Sequence, residues 1–166
     1  MAQGMRGLTA PEQAEVREVY PGAVPWDRVR LCDGAGRNLA AMIAFRTGAW
    51  AITLRRTIYF GSHYSADFST ADAEHRELFF HEMTHVWQYA TLGIPSFGVR
   101  YASNFIAVGF RRGRMYDYRS GDDFRSASLE AQAQMVGHYA RALADRDTAR
   151  QDRLRPSLSG TGLHRL

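Results

Sequence analysis

The 166-residue chain contains one cysteine and no lysine. A single cysteine, Cys32, excludes an intramolecular disulfide and a metal cluster held by several thiolates. No apolar run reaches the roughly 18 residues of a membrane-spanning helix, so none is predicted. The amino-terminal segment lacks the apolar core of a signal peptide. The sequence therefore predicts a cytoplasmic protein, with export by a specialised secretion machine as the alternative.

The charge pattern does not indicate a nucleic-acid-binding protein. The net charge is +4, and all 21 positions that hold lysine or arginine hold arginine. Arginine clusters occur at residues 54–57, at residues 110–114 and in the C-terminal tail. None of them forms a basic helix or an aromatic-basic motif. Neither nucleic acid nor a membrane is therefore expected as a partner.

The order of helix and strand signals predicts one α+β domain over residues 1–148, followed by a basic, flexible tail over residues 149–166. Thr9 and Glu12 form the pattern of a capping box, which marks the start of the first helix. The other predicted elements are a strand at 27–32, a helix at 36–45, one or two strands at 50–61, a helix from 71 to about 91 capped by Ser69 or Thr70, an uncertain helix at 97–110, a loop at 111–123 and a long helix from 126 to about 145.

Residues 81–85 read H-E-M-T-H in the middle of a predicted helix. At about 100° per residue, His81 and His85 lie one turn apart on one face, and the opposite face is apolar. Two imidazoles at this spacing can both reach one zinc ion at about 2 Å. Glu82 is rotated off that line, where a carboxylate can act as general base on a metal-activated water. The alternative, two hydrogen-bonded core histidines, is less consistent with so strongly buried a helix.

A catalytic zinc site needs a third protein ligand and an open position. Glu130, near the start of the last long helix, is the predicted ligand. Small residues such as Gly137 on the same helix would allow it to approach the H-E-x-x-H helix closely. His138 is the alternative ligand, and Asp122 and Asp123 are weaker alternatives because loop aspartates more often cap helices.

These motifs resemble those of the gluzincin type of zincin-like metallopeptidases, which combine H-E-x-x-H on one helix with a glutamate on a later helix. Residues 29–61 and the helix after them are similar to the compact zincin-like domains of Vgr-related proteins in contractile injection systems. Residues 116–119 and 129–134 are similar to the later segment of such domains. The residues that match are Ala44, Phe45, Ile52, Ile58, Tyr59, His81, Glu82, His85, Val86 and Gln88.

The resemblance implies a compact zincin-like fold, with a small twisted sheet, a buried H-E-x-x-H helix and the Glu130 helix across the site. It implies a Zn²⁺-dependent hydrolase that cleaves peptide bonds of a peptide or protein substrate and is linked to a secretion system through a partner protein. The strand at residues 57–61 is expected to be the edge that binds substrate. Tyr118 is expected to stabilise the oxyanion, with Tyr116 and His138 as alternatives.

The sequence departs from the gluzincin pattern at two positions of the Glu130 segment. Ser126 stands where an asparagine would match, and Gln134 stands where an aspartate would match. A non-catalytic, zinc-stabilised adaptor or chaperone of a secretion system is therefore the alternative function. Glu82 argues against this alternative, because a structural zinc site does not need a general base beside it.

Overall fold

The computed structural model describes residues 4–20, 22, 24–119 and 121–163. These residues form an α+β structure with a four-stranded sheet and six α-helices. The strands are β1 (Met5–Arg6), β2 (Arg30–Asp33), β3 (Ala51–Leu54) and β4 (Thr57–Phe60). The helices are α1 (Ala10–Val19), α2 (Leu39–Arg46), α3 (Ala73–Leu92), α4 (Ile94–Ala107), α5 (Leu129–Ala144) and α6 (Thr148–Leu158), and short 3₁₀ turns occur at Trp26–Arg28 and Arg112–Tyr116.

The strand order in the sheet is β1-β2-β4-β3. Strand β4 pairs in parallel with β2 on one side and antiparallel with β3 on the other, so β3 is an edge strand. The expectation that residues 57–61 form the edge is therefore wrong. The tight turn at Arg55 (φ 60°) brings β3 back to pair with one side of β4. The chain that crosses through α2 leaves β2 paired with the other side of β4, so β4 has a neighbour on both sides.

The capping box at the start of α1 is confirmed. The Thr9 hydroxyl accepts a hydrogen bond from the Glu12 amide, and the Glu12 carboxylate accepts one from the Thr9 amide at 2.7 Å. Glu12 is also fully buried, paired with Arg6 at 2.7 Å and bonded to the Phe68 amide at 2.8 Å. One carboxylate thus joins β1, α1 and the loop before α3.

Helix α3 begins later than the sequence indicates. Asp72 is its N-cap and accepts a hydrogen bond from the His75 amide at 2.9 Å. The prediction that Ser69 or Thr70 caps this helix is wrong, because both lie before Asp72, and their hydroxyls bond to Asp67 instead. The helix ends at Gly93, whose φ of 75° suits a glycine. Helix α4 follows at once, so residues 97–110 are helical as far as Ala107.

The C-terminal segment is not the flexible tail that its composition indicates. Residues 148–158 form α6, which packs against α5. Leu154 and Leu158 lie one turn apart and are buried in the core, and Leu163 joins them. These three leucines provide the apolar contact that holds an otherwise polar helix in place. Residues 164–166 lie outside the described part of the chain.

Helix α3 packs between the sheet and α5, so its middle turns are buried. A group of aromatic side chains fills the space between the sheet and this helix. The Phe68 ring stacks on Phe79 with centroids 4.9 Å apart and packs at a tilt against Phe60 at 4.7 Å. Among the described residues, no helix is both long enough and apolar enough to span a bilayer. The central position of α3 brings its polar face, which carries the two histidines, against α5.

Candidate metal centre

Close contact between α3 and α5 places the predicted ligands next to each other. A Cβ added at Gly137 would lie 2.8 Å from the Glu77 carbonyl oxygen and 3.4 Å from the His81 Cβ, so α5 approaches to a distance that only glycine allows. Ser128 caps α5 by accepting a hydrogen bond from the Ala131 amide at 3.0 Å. Glu130 therefore lies in the first turn of α5, directly opposite the H-E-x-x-H segment.

The side chains of His81, His85 and Glu130 converge in the structure. Their candidate ligand atoms all lie within 4.8 Å of one another, and the residues are 7%, 7% and 4% exposed. The Glu130 Oε2 lies 3.3 Å from His81 Nε2 and 3.2 Å from His85 Nε2. Nitrogen and oxygen ligands of a tetrahedral zinc ion, at about 2.0–2.2 Å from the metal, are about 3.3–3.6 Å apart. This buried group, the metal cluster below, could therefore bind a metal ion.

The electrostatics of the metal cluster favour an added cation. Burial has the largest single effect on the pKa of His85 and lowers it, but the charge and hydrogen bond of Glu130, together with Glu82 and Gln88, outweigh burial and raise the pKa to about 9. Burial raises the pKa of Glu130, yet His85 and then His81 hold it well below its usual range. Without a metal, the Glu130 carboxylate is thus compensated by a proton on His85, which a divalent cation can replace.

A chain of amides orients the second imidazole. His85 Nδ1 lies 2.8 Å from Gln88 Oε1, which can only accept, so the neutral imidazole, the form that binds a metal, has its proton on Nδ1 and its lone pair on Nε2. The Gln88 amide donates to Gln132 Oε1 at 2.9 Å and to the Leu129 carbonyl at 3.0 Å. Gln132 in turn donates to the Phe124 carbonyl at 2.8 Å. This chain presents His85 Nε2 to the metal cluster.

Glu82 is buried beside the metal cluster but is not part of it. It is 5% exposed, and the Thr53 hydroxyl donates to its Oε2 at 2.6 Å. Thr53 comes from the edge strand β3, so the sheet fixes the direction of this carboxylate. Sequence reasoning missed Thr53. The only signal for it was an inward-facing polar residue in an alternating strand.

The alternative ligands lie elsewhere. His138 Nε2 is 3.4 Å from Glu77 Oε1, and its Nδ1 is 2.5 Å from the Tyr118 hydroxyl, so both ring nitrogens face partners outside the metal cluster. Asp122 accepts from the Arg119 amide. Asp123 accepts from backbone amides of the same loop. The two aspartates therefore hold the loop before α5 together rather than cap that helix as expected, since its N-cap is Ser128.

The two tyrosines considered for the oxyanion occupy different places. The Tyr116 ring stacks on His81, with ring centroids 5.9 Å apart and 22° between the planes. Tyr118 is directed at His138, and burial raises its pKa to about 12. Tyr118 does not border the two cavities described next, whereas Tyr116 borders both.

Two cavities flank the metal cluster, with volumes of about 530 Å³ and 360 Å³. They meet at His81, Glu82, Ala51 and Tyr116, which line both. Strand β3 runs alongside them, so a cleft bordered by a sheet edge passes the metal cluster. A ligand that spans both cavities would cross the two histidines and Glu82.

Comparisons with known proteins relate this chain to proteins of contractile injection systems. Residues 13–93 match a family model described as the eCIS core domain. Over 149 residues the chain is 26% identical to the type VI secretion system spike protein VgrG2b of Pseudomonas aeruginosa. That match covers 83% of the chain but only 13% of the spike protein, so the chain corresponds to a small part of it.

The structure is also similar to that of the effector domain of Pseudomonas aeruginosa VgrG2b. The TM-score is 0.61 at 24% sequence identity, and the match covers 93% of this chain and 82% of that domain. The two chains therefore share a fold. Together with the sequence matches, this supports a domain related to Vgr proteins and contractile injection systems.

Proposed function

We propose that this domain is a zinc-dependent metallopeptidase of the gluzincin type and acts in the context of a contractile injection system. One observation carries the proposal. Three buried donor groups converge within 4.8 Å of one another, and a fourth buried side chain, the Glu82 carboxylate, lies beside them without joining them. A purely structural metal site would not require this fourth group.

The donor set suits zinc. Two imidazole nitrogens and one carboxylate oxygen are a common ligand set of catalytic zinc sites, whereas calcium and magnesium prefer sites made of oxygen atoms alone. His81, His85 and Glu130 would hold the ion. When bound there, zinc would polarise a substrate carbonyl and lower the pKa of a water molecule toward ~7.

Glu82 would accept the proton of the attacking water and deliver it to the departing amine nitrogen. The hydrogen bond from Thr53 occupies one side of the carboxylate and keeps it in one rotamer. Its carboxylate lies at the junction of the two cavities, where the scissile bond of a bound chain would cross. Positioning of this kind accounts for much of the effect of a general base.

Strand β3 offers its free edge to an extended substrate. The Trp50 carbonyl accepts a hydrogen bond from the Gly61 amide at 2.7 Å, which fixes the alternation of the β3–β4 ladder. The backbone groups of Ala51 and Thr53 therefore point away from β4. A peptide could add to this edge as a further strand, with its backbone held next to the metal cluster.

A hydrogen-bond donor near the reacting carbonyl would stabilise the developing negative charge. Tyr118 was the first choice from the sequence. The geometry favours Tyr116 for this role, because its ring stacks on His81 and borders both cavities. Tyr118 would then have a supporting role, in which its hydroxyl holds the His138 ring in place through their hydrogen bond.

The test compares the wild-type protein with Glu82→Gln, which retains the shape of the side chain but cannot accept a proton near neutral pH. Both proteins should fold alike and bind one zinc ion. Hydrolysis of a mixed peptide library by the variant should be slower by a factor on the order of 10²–10⁴. The hydrolysis rate of Thr53→Val should lie between those of the wild type and Glu82→Gln, because Glu82 loses the hydrogen bond that positions it.

Equal cleavage by wild type and Glu82→Gln would contradict the proposed mechanism. No cleavage by wild-type protein with full zinc occupancy, over a diverse library, would instead support the non-catalytic adaptor. Zinc content is therefore determined on the same samples as the cleavage rates.

A further inference from the structure

The cavity of about 360 Å³ is aromatic. Three side chains of α4, Phe97, Tyr101 and Phe105, recur every fourth residue and face it as one wall. Tyr89 extends the wall from α3 and stacks on Phe97 at 3.7 Å between ring centroids. Leu54, at the end of β3, completes the lining. This aromatic cavity has the size and chemistry of a site for a large apolar group.

The cavity of about 530 Å³ is charged. Glu74 and Glu77 of α3 and Arg141 of α5 line it, together with the Trp50 indole. Glu77 is paired with Arg141 at 3.1 Å, so these two charges compensate each other. Glu74 is exposed, and within the described ranges it forms no ion pair. The charged cavity therefore carries a net negative charge in addition to that of Glu82.

Strand β3 passes the charged cavity at its start and the aromatic cavity at its end. Residues 47–51, before and at the start of β3, line the charged cavity, whereas Leu54 at its end lines the aromatic cavity. Antiparallel pairing is the more stable ladder for an added strand. A peptide paired in this way on β3 has its amino-terminal part beside Leu54 and its carboxyl-terminal part beside Ala51.

We propose that the cleft selects extended polypeptides with a large aromatic or aliphatic side chain before the scissile bond and an arginine or lysine after it. The apolar side chain lies against the α4 wall, and the basic side chain lies beside Glu74. This inference rests on the proposed function, since it takes the metal cluster as the point of cleavage. It adds the substrate class and the direction in which the substrate lies.

The expected preference for the apolar side chain and that for the basic side chain differ in magnitude and in salt dependence. Filling the aromatic cavity removes apolar surface from water, so phenylalanine should bind about tenfold or more tighter than glycine. The attraction of a basic side chain to exposed Glu74 should be worth a few-fold at low salt and less at high salt. Reversing the order of the two side chains places each beside the wrong cavity, so the reversed peptide should lose both preferences.

The experiment measures binding rather than turnover. Glu82→Gln protein, with and without added zinc, is titrated into fluorescein-labelled, blocked hexapeptides whose central pair is Phe-Arg, Arg-Phe, Phe-Glu or Gly-Gly. Fluorescence polarisation gives the dissociation constants. Phe-Arg should bind tightest, at least about tenfold tighter than Gly-Gly. It should also bind several-fold tighter than Phe-Glu and than the reversed pair.

Matched variants assign the selectivity to each cavity. Tyr101→Ala should remove most of the preference for phenylalanine over glycine, whereas Val99→Ala, 72% exposed on the same helix, should not change it. Glu74→Gln should remove the preference for arginine over glutamate. Asp152→Asn, which makes the same charge change on α6 away from the cleft, should retain it.

The outcomes separate this inference from the proposed function. Equal binding of all four peptides, or tighter binding of the reversed pair, would overturn the inference. Selective binding without any cleavage by zinc-loaded wild-type protein would overturn the peptidase proposal and leave the cleft assignment in place. Cleavage of all four sequences at similar rates would support the peptidase proposal and overturn the inferred selectivity.

Discussion

Two clusters of histidine and glutamate lie side by side where α3 meets α5, and only one of them has the geometry of a metal site. The metal cluster consists of His81, His85 and Glu130. The second, the Glu77 cluster, lies nearby and consists of Glu77 of α3, of Gln134, His138 and Arg141 of α5, and of Tyr118 from the loop before α5.

The two clusters differ in how the carboxylate is compensated. Glu77 has a permanent cation, Arg141, at 3.1 Å, and is part of a half-buried network. Glu130 is buried and is paired with His81 and His85 alone among the described residues. A divalent ion can replace the proton on His85 but cannot replace a guanidinium. Convergence of the donor atoms and the absence of a paired arginine, rather than residue type, distinguish the candidate metal site from the Glu77 cluster.

The largest expected effect is loss of the metal. Glu130→Ala, or the double change His81→Ala with His85→Ala, should abolish stoichiometric zinc binding, because each removes donors from the converging set. His138→Ala and Glu77→Ala should retain full zinc occupancy, since both residues face away from the metal cluster. Elemental analysis after gentle purification, with zinc titration of the metal-free proteins, measures this.

A graded variant sharpens the same contrast. Gln88→Ala removes the group that orients His85, so zinc affinity should fall by about 10–100-fold without being lost. Loss of zinc in His138→Ala together with its retention in Glu130→Ala would reverse the assignment and indicate a three-histidine site.

The protonation states of the two clusters should also differ in the metal-free protein. The pKa of His85 is raised to about 9, whereas burial lowers the pKa of His138. At pH 7 zinc must therefore displace a proton from His85, and about one more proton should be released at pH 7 than at pH 10. Calorimetric titration in buffers of different ionisation enthalpy measures this proton release.

The same shift has a consequence for stability. A pKa above the unfolded value of ~6.5 stabilises the metal-free fold below that pH, and this contribution is lost as pH rises through about 9. Glu130→Gln should remove both the extra proton release and this pH dependence. Unchanged proton release in that variant would contradict the coupling between Glu130 and His85.

The smallest effect concerns the helix contact that holds both clusters. A Cβ at residue 137 would lie 2.8 Å from the Glu77 carbonyl oxygen, so Gly137→Ala should lower the free energy of unfolding by about 1–3 kcal/mol. Gly98→Ala on α4 is the control, because open space surrounds that position. The control should be neutral or more stable by up to about 1 kcal/mol. Denaturant unfolding of both variants measures the change in the free energy of unfolding, which should be negative for Gly137→Ala and zero or positive for Gly98→Ala.

The H-E-x-x-H helix and the approach of Glu130 to it could be predicted from the sequence because the relevant signals lie in short segments. The H-E-x-x-H spacing and the apolar back of α3 require only helical periodicity. Glu130 followed from the small residues of α5, whose Gly137 does contact α3. The fold class was predictable as α+β for a similar reason, since capping and strand patterns are properties of short segments.

Features that depend on contacts between distant segments were not predictable. The edge position of β3 follows from how β2 joins β4, and no local pattern encodes that pairing. Helix α6 was interpreted as a tail because its arginines outweigh its buried leucines, which only α5 and the core explain. Thr53 and Glu82 lie 29 residues apart in sequence, so their hydrogen bond could not be inferred.

The most direct test of the account is a crystal structure of the zinc-loaded protein with anomalous diffraction data recorded on both sides of the zinc absorption edge. The account predicts one anomalous peak per chain, with His81 Nε2, His85 Nε2 and Glu130 each at about 2.0–2.2 Å and an open fourth position toward Glu82. A peak at the Glu77 cluster, a fourth protein ligand that closes the site, or no peak would contradict it.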